Sequence, residues 1–170
     1  MTTSLRSDPA ELIPDAVQTC LDIARTWYAW DGRPQVSAPI KDLPDRTVFT
    51  PHKAIRRIAD HLVDHLAQIE ALLAGADTIP DTWHGRTLTL ATDWAPFTEA
   101  DLNEAHNRLR RLGQVYALRL RSLHDEALDA PRGQSWTIRQ IVEHVAGVTW
   151  YAEQVGHLHP PGKPTQPARP

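Results

Sequence analysis

Three histidines and a tyrosine are the residues of this chain whose types and spacing suit chemistry. His61 and His65 stand four residues apart, which sets two imidazoles one turn apart on one face of a helix, a spacing that chelates a divalent metal. A third ligand from another helix turns such a pair into a site with open positions for water or substrate. His144 is the candidate, because Ile138-Arg139-Gln140-Ile141-Val142-Glu143-His144 repeats Ile55-Arg56-Arg57-Ile58-Ala59-Asp60-His61, and a glutamate follows nine residues after each histidine, at Glu70 and Glu153. The match is five identities in sixteen aligned positions. It implies two related helix-bearing halves facing each other across a pseudo-twofold axis, with His61 opposite His144. Tyr151 falls two turns past His144 on the same flank, where its hydroxyl can act as a proton donor. Asp64 points further toward solvent and is a candidate to orient a ligand rather than to be one. The competing reading is structural: half-buried histidines hydrogen-bonded to carboxylates or backbone.

Four helices and two long connectors must position these residues. Asp8-Pro9-Ala10-Glu11 has an N-cap type, a proline at the first helical position and an early glutamate, so a first helix is predicted from there toward Trp30, with Pro14 kinking or delaying it. Asp31-Gly32 stops it, and Pro34, Pro39, Pro44 and Pro51 keep the next segment irregular. The second helix is predicted over 52–73, with Ile55, Ile58, Leu62, Leu66, Ile69 and Leu73 on one stripe, ended by Gly75. At about 100° per residue, His65 lies roughly 60° and His61 roughly 100° to one side of that stripe, flanking the core. A second connector runs over 76–97, in which Thr87-Leu88-Thr89-Leu90 is a candidate extended piece. Thr98-Glu99-Ala100-Asp101 opens the third helix, and Ser135-Trp136-Thr137 opens a fourth that continues to about residue 156. There His144 takes the angular position of His61, and Val148 stands where the other copy has His65.

Composition narrows the classes. At 170 residues the chain is read as one domain over 1–159, followed by a proline-rich mobile tail over 160–170. Apolar residues make up 41% and charged residues 23%, and no run approaches the roughly eighteen apolar residues of a membrane span, so a soluble globule is expected and no membrane partner. The first eight residues lack a signal-peptide pattern. Cys20 is the single cysteine, so no intrachain disulfide is available and a reducing cytoplasm is the default; among Val17, Leu21 and Ala24 it reads as a buried structural thiol. A net charge of −3 gives no footprint for nucleic acid, and Arg108, Arg110, Arg111, Arg119 and Arg121 share a helix with Glu99, Asp101 and Glu104 as a solvated face. The six tryptophans read as core fillers or connector pins, His84 as a loop residue, and His106, His124, His157 and His159 as exposed.

The segment Trp136-Thr137-Ile138-Arg139-Gln140-Ile141-Val142-Glu143-His144-Val145, followed by Trp150-Tyr151, resembles the fourth helix of the DinB/YfiT-like superfamily. Residues 55–64 resemble its histidine-bearing second helix, and Trp83-His84-Gly85-Arg86-Thr87 with Ala95-Pro96-Phe97-Thr98-Glu99-Ala100-Asp101-Leu102 its connector into the third. The resemblance covers about residues 10–157 and implies an all-α, DinB-like four-helix bundle, often a homodimer. It implies a divalent metal held by one histidine of the second helix and a His-x-x-x-His pair on the fourth, and S-transferase or isomerase activity with mycothiol, bacillithiol or another low-molecular-weight thiol. His61 matches the second-helix ligand and His144 lies on the fourth helix. The positions four residues either side of His144 are Val148 and Gln140, so either His65 supplies the missing ligand or metal binding has been lost.

The expected function is therefore a metal-dependent thiol S-transferase or isomerase acting on a small electrophile, with His61, His65 and His144 on Zn²⁺, Ni²⁺ or Fe²⁺ and Tyr151 as acid. The thiol rests on the resemblance alone. Arginine outnumbers lysine fifteen to three, which hints at a GC-rich genome and so at mycothiol. The alternatives are a metal-free helical bundle that binds a small ligand or a partner, and a metal-free cyclase or isomerase.

Overall fold

The computed structural model of the chain describes residues 8–36, 47–79, 87–133 and 135–159. The expectations for residues 1–7, for Pro39 and Pro44, for Trp83 and His84 and for the tail over 160–170 lie outside the described residues.

Helix α1, Pro9–Ala24, starts where its caps require: the Asp8 side chain accepts from the Ala10 N–H at 2.9 Å and Pro9 needs no donor at the first position. Pro14 lies inside it. It stops short of Trp30, because the Thr26 hydroxyl bonds the Ile23 carbonyl and the chain tightens into a 3-10 turn over Trp27–Ala29. That turn buries Trp27, whose indole N–H donates to the Gly156 carbonyl at 2.8 Å. Two short strands, β1 (Gln35–Val36) and β2 (Val48–Phe49), then pair antiparallel, an element that the proline-rich segment concealed.

Helix α2, Pro51–Ala74, is capped by Thr50 and closed by Gly75 in the left-handed region at φ 67°, where glycine carries no Cβ penalty. The candidate extended piece is not a strand. Its polar groups are taken by side chains instead: Lys53 Nζ donates to Thr89 Oγ1 at 2.8 Å, Arg56 to the Leu88 carbonyl, and the Leu90 N–H to Asp93. Helix α3, Glu99–Arg121, opens on a capping box of Thr98 and Asp101. A short α4, Asp125–Asp129, follows, held by the buried Arg139 through Asp129 and Asp125, each at 2.7 Å.

The single fourth helix expected after Trp136 is two. Helix α5 spans Ile138–Ala146 and α6 spans Thr149–Val155. Between them the Gly147 N–H bonds the His144 carbonyl, and the Val148 N–H bonds that of Val145. These i, i+3 bonds tighten the chain toward three residues per turn. A Cβ at position 147 would stand 3.1 Å from the His144 carbonyl oxygen, so glycine suits this turn.

The described chain is mostly helical, and no helix is long and apolar enough to cross a membrane. Helix α1 packs along α3 and against α5 and α6, while α2 packs on α6, α3 and α5. Their shared core includes Leu21, Trp27, Ile58, Leu62, Leu109 and Ile141. Cys20 is buried as expected, and that burial pushes its thiol up to about 12, which rules out a thiolate at neutral pH. Not every tryptophan is a core filler: Trp94, at the end of a 3-10 turn over Ala91–Trp94, and Trp136, two residues before α5, are each 46% exposed. His106 is half-buried rather than exposed. Within the arginine cluster, Arg119 pairs with Glu70 at 2.7 Å and Arg108 with Glu104.

Candidate metal centre

One flank of α2 carries Arg57, His61, His65 and Gln68 at intervals of one helical turn. Tyr116 fixes that stretch: its buried hydroxyl donates to the Leu62 carbonyl at 2.7 Å, between the two histidines. The last turn of α5 brings His144 against the same flank.

The three imidazoles meet. Ring centroids are 4.6 Å apart for His61 and His65, and 5.0 Å for His144 to each of them. One ligating nitrogen from each lies within 4.8 Å of the others. Two nitrogens of a tetrahedral ion with bonds of 2.0–2.1 Å are about 3.4 Å apart, so the rings must close by ~1.4 Å at most, within reach of small χ rotations. His61 and His65 are half-buried and His144 is exposed, so the cluster opens to solvent on the α5 side.

Burial keeps the His61 imidazole neutral. Burial, then the neighbouring His65 and His144, then the Arg57 guanidinium push His61 down to about 3. At neutral pH its lone pair is therefore available to a metal. The set is three imidazoles without a carboxylate, which suits zinc, nickel or ferrous iron better than the oxygen-seeking magnesium or calcium. The donor set fits the ion expected from the sequence.

Tyr151 stands beside His61, with ring centroids 5.8 Å apart. It is buried against Phe49 and Trp150, and the Arg57 guanidinium lies 5.7 Å over its face. The i, i+3 turn at Gly147 lies between His144 and Tyr151, and both rings border His61, at 5.0 Å and 5.8 Å. Arg57 also reaches Asp60 at 3.2 Å.

Three neighbours went unassigned in the sequence. Arg57 and Gln68 share the face of the histidine pair, a spacing that could have exposed them. Trp136 could not have been found that way. Its indole lies 4.9 Å from the His144 ring although the two residues are two turns apart. Elsewhere, a cleft of about 200 Å³ lies between α2 and α3. Its charged groups pair with one another, Arg56 with Asp93 at 2.7 Å and Arg108 with Glu104 at 2.5 Å, and the His52 ring faces the Pro96 carbonyl at 3.2 Å.

No known family model, curated protein or solved structure matches this chain.

Proposed function

We propose that this chain is a metalloenzyme of DinB/YfiT-like type, a bundle of four helical axes formed by α1, α2, α3 and the α5–α6 pair. In this reading His61, His65 and His144 hold one divalent transition ion, and the substrates are a low-molecular-weight thiol and a small electrophile. The observation that carries it is the convergence of three imidazoles from two helices, with one nitrogen of each inside 4.8 Å. The motif resemblance supplies the thiol and the reaction class. When bound, such an ion supplies Lewis acidity that lowers the pKa of a coordinated thiol enough to deprotonate it at neutral pH.

The residues of the chain do the rest. Burial holds His61 neutral, so protons do not compete for its lone pair at neutral pH. His144 faces solvent and leaves an approach for substrate, and the exposed indole of Trp136 borders that approach. Val148 occupies the position of the second fourth-helix histidine but is fully buried. His65 takes over that ligand role from α2.

The test is metal content. Protein purified without a histidine tag and supplied with zinc, nickel or iron should carry close to one equivalent, and His65→Ala should lose most of it. A stoichiometry below about a tenth after supplementation would overturn the metal centre, because ligands gathered this closely bind tightly when the site is real. With the metal in place, consumption of generic electrophiles in the presence of mycothiol or bacillithiol tests the thiol. No turnover with any such thiol would remove the transferase reading and leave a metal-binding module.

A further inference from the structure

The His65 ring is held by a neighbour. Its Nδ1 lies 2.8 Å from the Gln68 side-chain oxygen, one turn further along α2, and both residues are half-buried. A glutamine carbonyl accepts and does not donate, so the ring nitrogen facing it must carry the proton. A neutral imidazole has one proton. With Nδ1–H engaged, the lone pair belongs to Nε2, and the contact also limits rotation of the ring about χ2.

This matters because His65 is the ligand with the least support of its own. The repeat shows why: an offset of 83 residues carries His61 onto His144, His65 onto Val148 and Gln68 onto Tyr151. One half of the fold brings two histidines and a hydrogen-bond acceptor, and the other brings a single histidine. The pair His65 and Gln68 is therefore a feature of the first half alone.

We propose that Gln68 is the positioning residue of the three-histidine centre: its side-chain carbonyl holds the Nδ1 proton of His65 and presents Nε2 to the ion. Presentation of Nε2 to an ion rests on the metal reading above. The held Nδ1 proton is a property of the metal-free protein and is tested separately.

In the metal-free protein at pH 8, ¹⁵N correlation spectra should show His65 as the Nδ1–H tautomer. Gln68→Leu should shift it toward Nε2–H, and Gln68→Glu, which keeps an acceptor in place, should restore Nδ1–H. Zinc affinity measured against a chromogenic chelator should fall by about 10–100-fold in Gln68→Leu, the range for loss of a group that orients a ligand. In Gln68→Glu it should be retained or rise. In a His65→Ala background the Gln68→Leu change should cost no further affinity, an outcome that a merely structural glutamine would not produce. Thermal unfolding of each variant checks that the fold is kept, and Gln68→Glu keeps the test alive if Gln68→Leu folds poorly. His65 found as Nε2–H in the wild type, or unchanged zinc affinity in Gln68→Leu, would overturn the proposal. A wild type that shows the Nδ1–H tautomer yet binds no zinc would overturn the role at a metal and, with it, the metal reading itself.

Discussion

Lys53 is a charge with almost no access to water. It is fully buried, rests 5.3 Å from the Phe49 ring centroid and donates to Thr89 Oγ1. Desolvation pushes it from 10.5 down to about 8, against the pull of Asp93 and with the help of Arg56 and Arg57. The sign of the consequence is fixed. Between about pH 8 and 10.5 the unfolded chain holds a proton that the folded chain has released, so stability rises with pH across that window. The rise is up to about 3 kcal/mol, at 1.36 kcal/mol per pH unit. Urea midpoints of wild type against Lys53→Met from pH 7 to 10.5 should show it in the wild type and not in the variant. A parallel course for the two proteins would contradict it. Tyr151 makes a second case at this scale. Its ring packs between His61, Phe49 and the Arg57 guanidinium, and its side chain is 8% exposed. Tyr151→Phe should cost less than about 1.5 kcal/mol of stability, the loss of one modest hydrogen bond, and leave zinc affinity unchanged. A fall in turnover of roughly 10²–10⁴-fold with binding intact would instead make it the proton donor.

At the scale of elements, the two arginines of the repeat do the same job. Arg56 on α2 holds the connector before α3 through Asp93, at 2.7 Å and 3.2 Å, and Arg139 on α5 holds α4 through Asp125 and Asp129. Asp93 is also bonded by the Leu90 N–H, and its backbone carbonyl accepts from Thr50, the cap of α2. Asp93→Ala removes the carboxylate's bonds and keeps that carbonyl, so it should free the connector, at a cost of about 2–3 kcal/mol. That is less than the 3–5 kcal/mol for stranding a fully buried partner, since Arg56 keeps some contact with water. Denaturant unfolding measures the loss, and hydrogen exchange over 87–97 shows where it falls. A change below about 0.5 kcal/mol, the level of an ordinary surface substitution, would mean that the ion pair does not anchor the connector. Gly147 is the corresponding test on the other half. An added Cβ would press on the carbonyl of His144, so Gly147→Ala should weaken zinc binding more than it lowers stability. The reverse order would separate this turn from the candidate site.

For the whole molecule, the three-histidine cluster joins α2 to α5, two helices that also share the core. Any ion bound there stabilises the native state by mass action, about 2.7 kcal/mol at a free concentration one hundred times Kd. Zinc should therefore raise Tm, a chelator should reverse the shift, and His61→Ala should abolish it. An unchanged Tm in saturating zinc would deny that the three histidines act as one site.

Much of this was legible in the sequence. The apolar stripes of α2 and α3 and the caps at Asp8 and Thr98 follow from local rules of spacing and hydrogen bonding, and the structure places those helices within a few residues of the expected positions. The nomination of His61, His65 and His144 as one cluster was also a sequence inference, because a repeat predicts which residues face one another. What the sequence left open depended on partners distant along the chain. Trp27 turns away from helix because its indole reaches Gly156, 129 residues away. Two backbone groups that a strand at Thr87-Leu88-Thr89-Leu90 would pair are taken by side chains, the Leu88 carbonyl by Arg56 and the Leu90 N–H by Asp93. Where Tyr151 stands relative to the imidazoles depends on how α6 packs on α2. Local spacing sets which face of a helix a residue occupies; only the packing of one helix against another decides what that face meets.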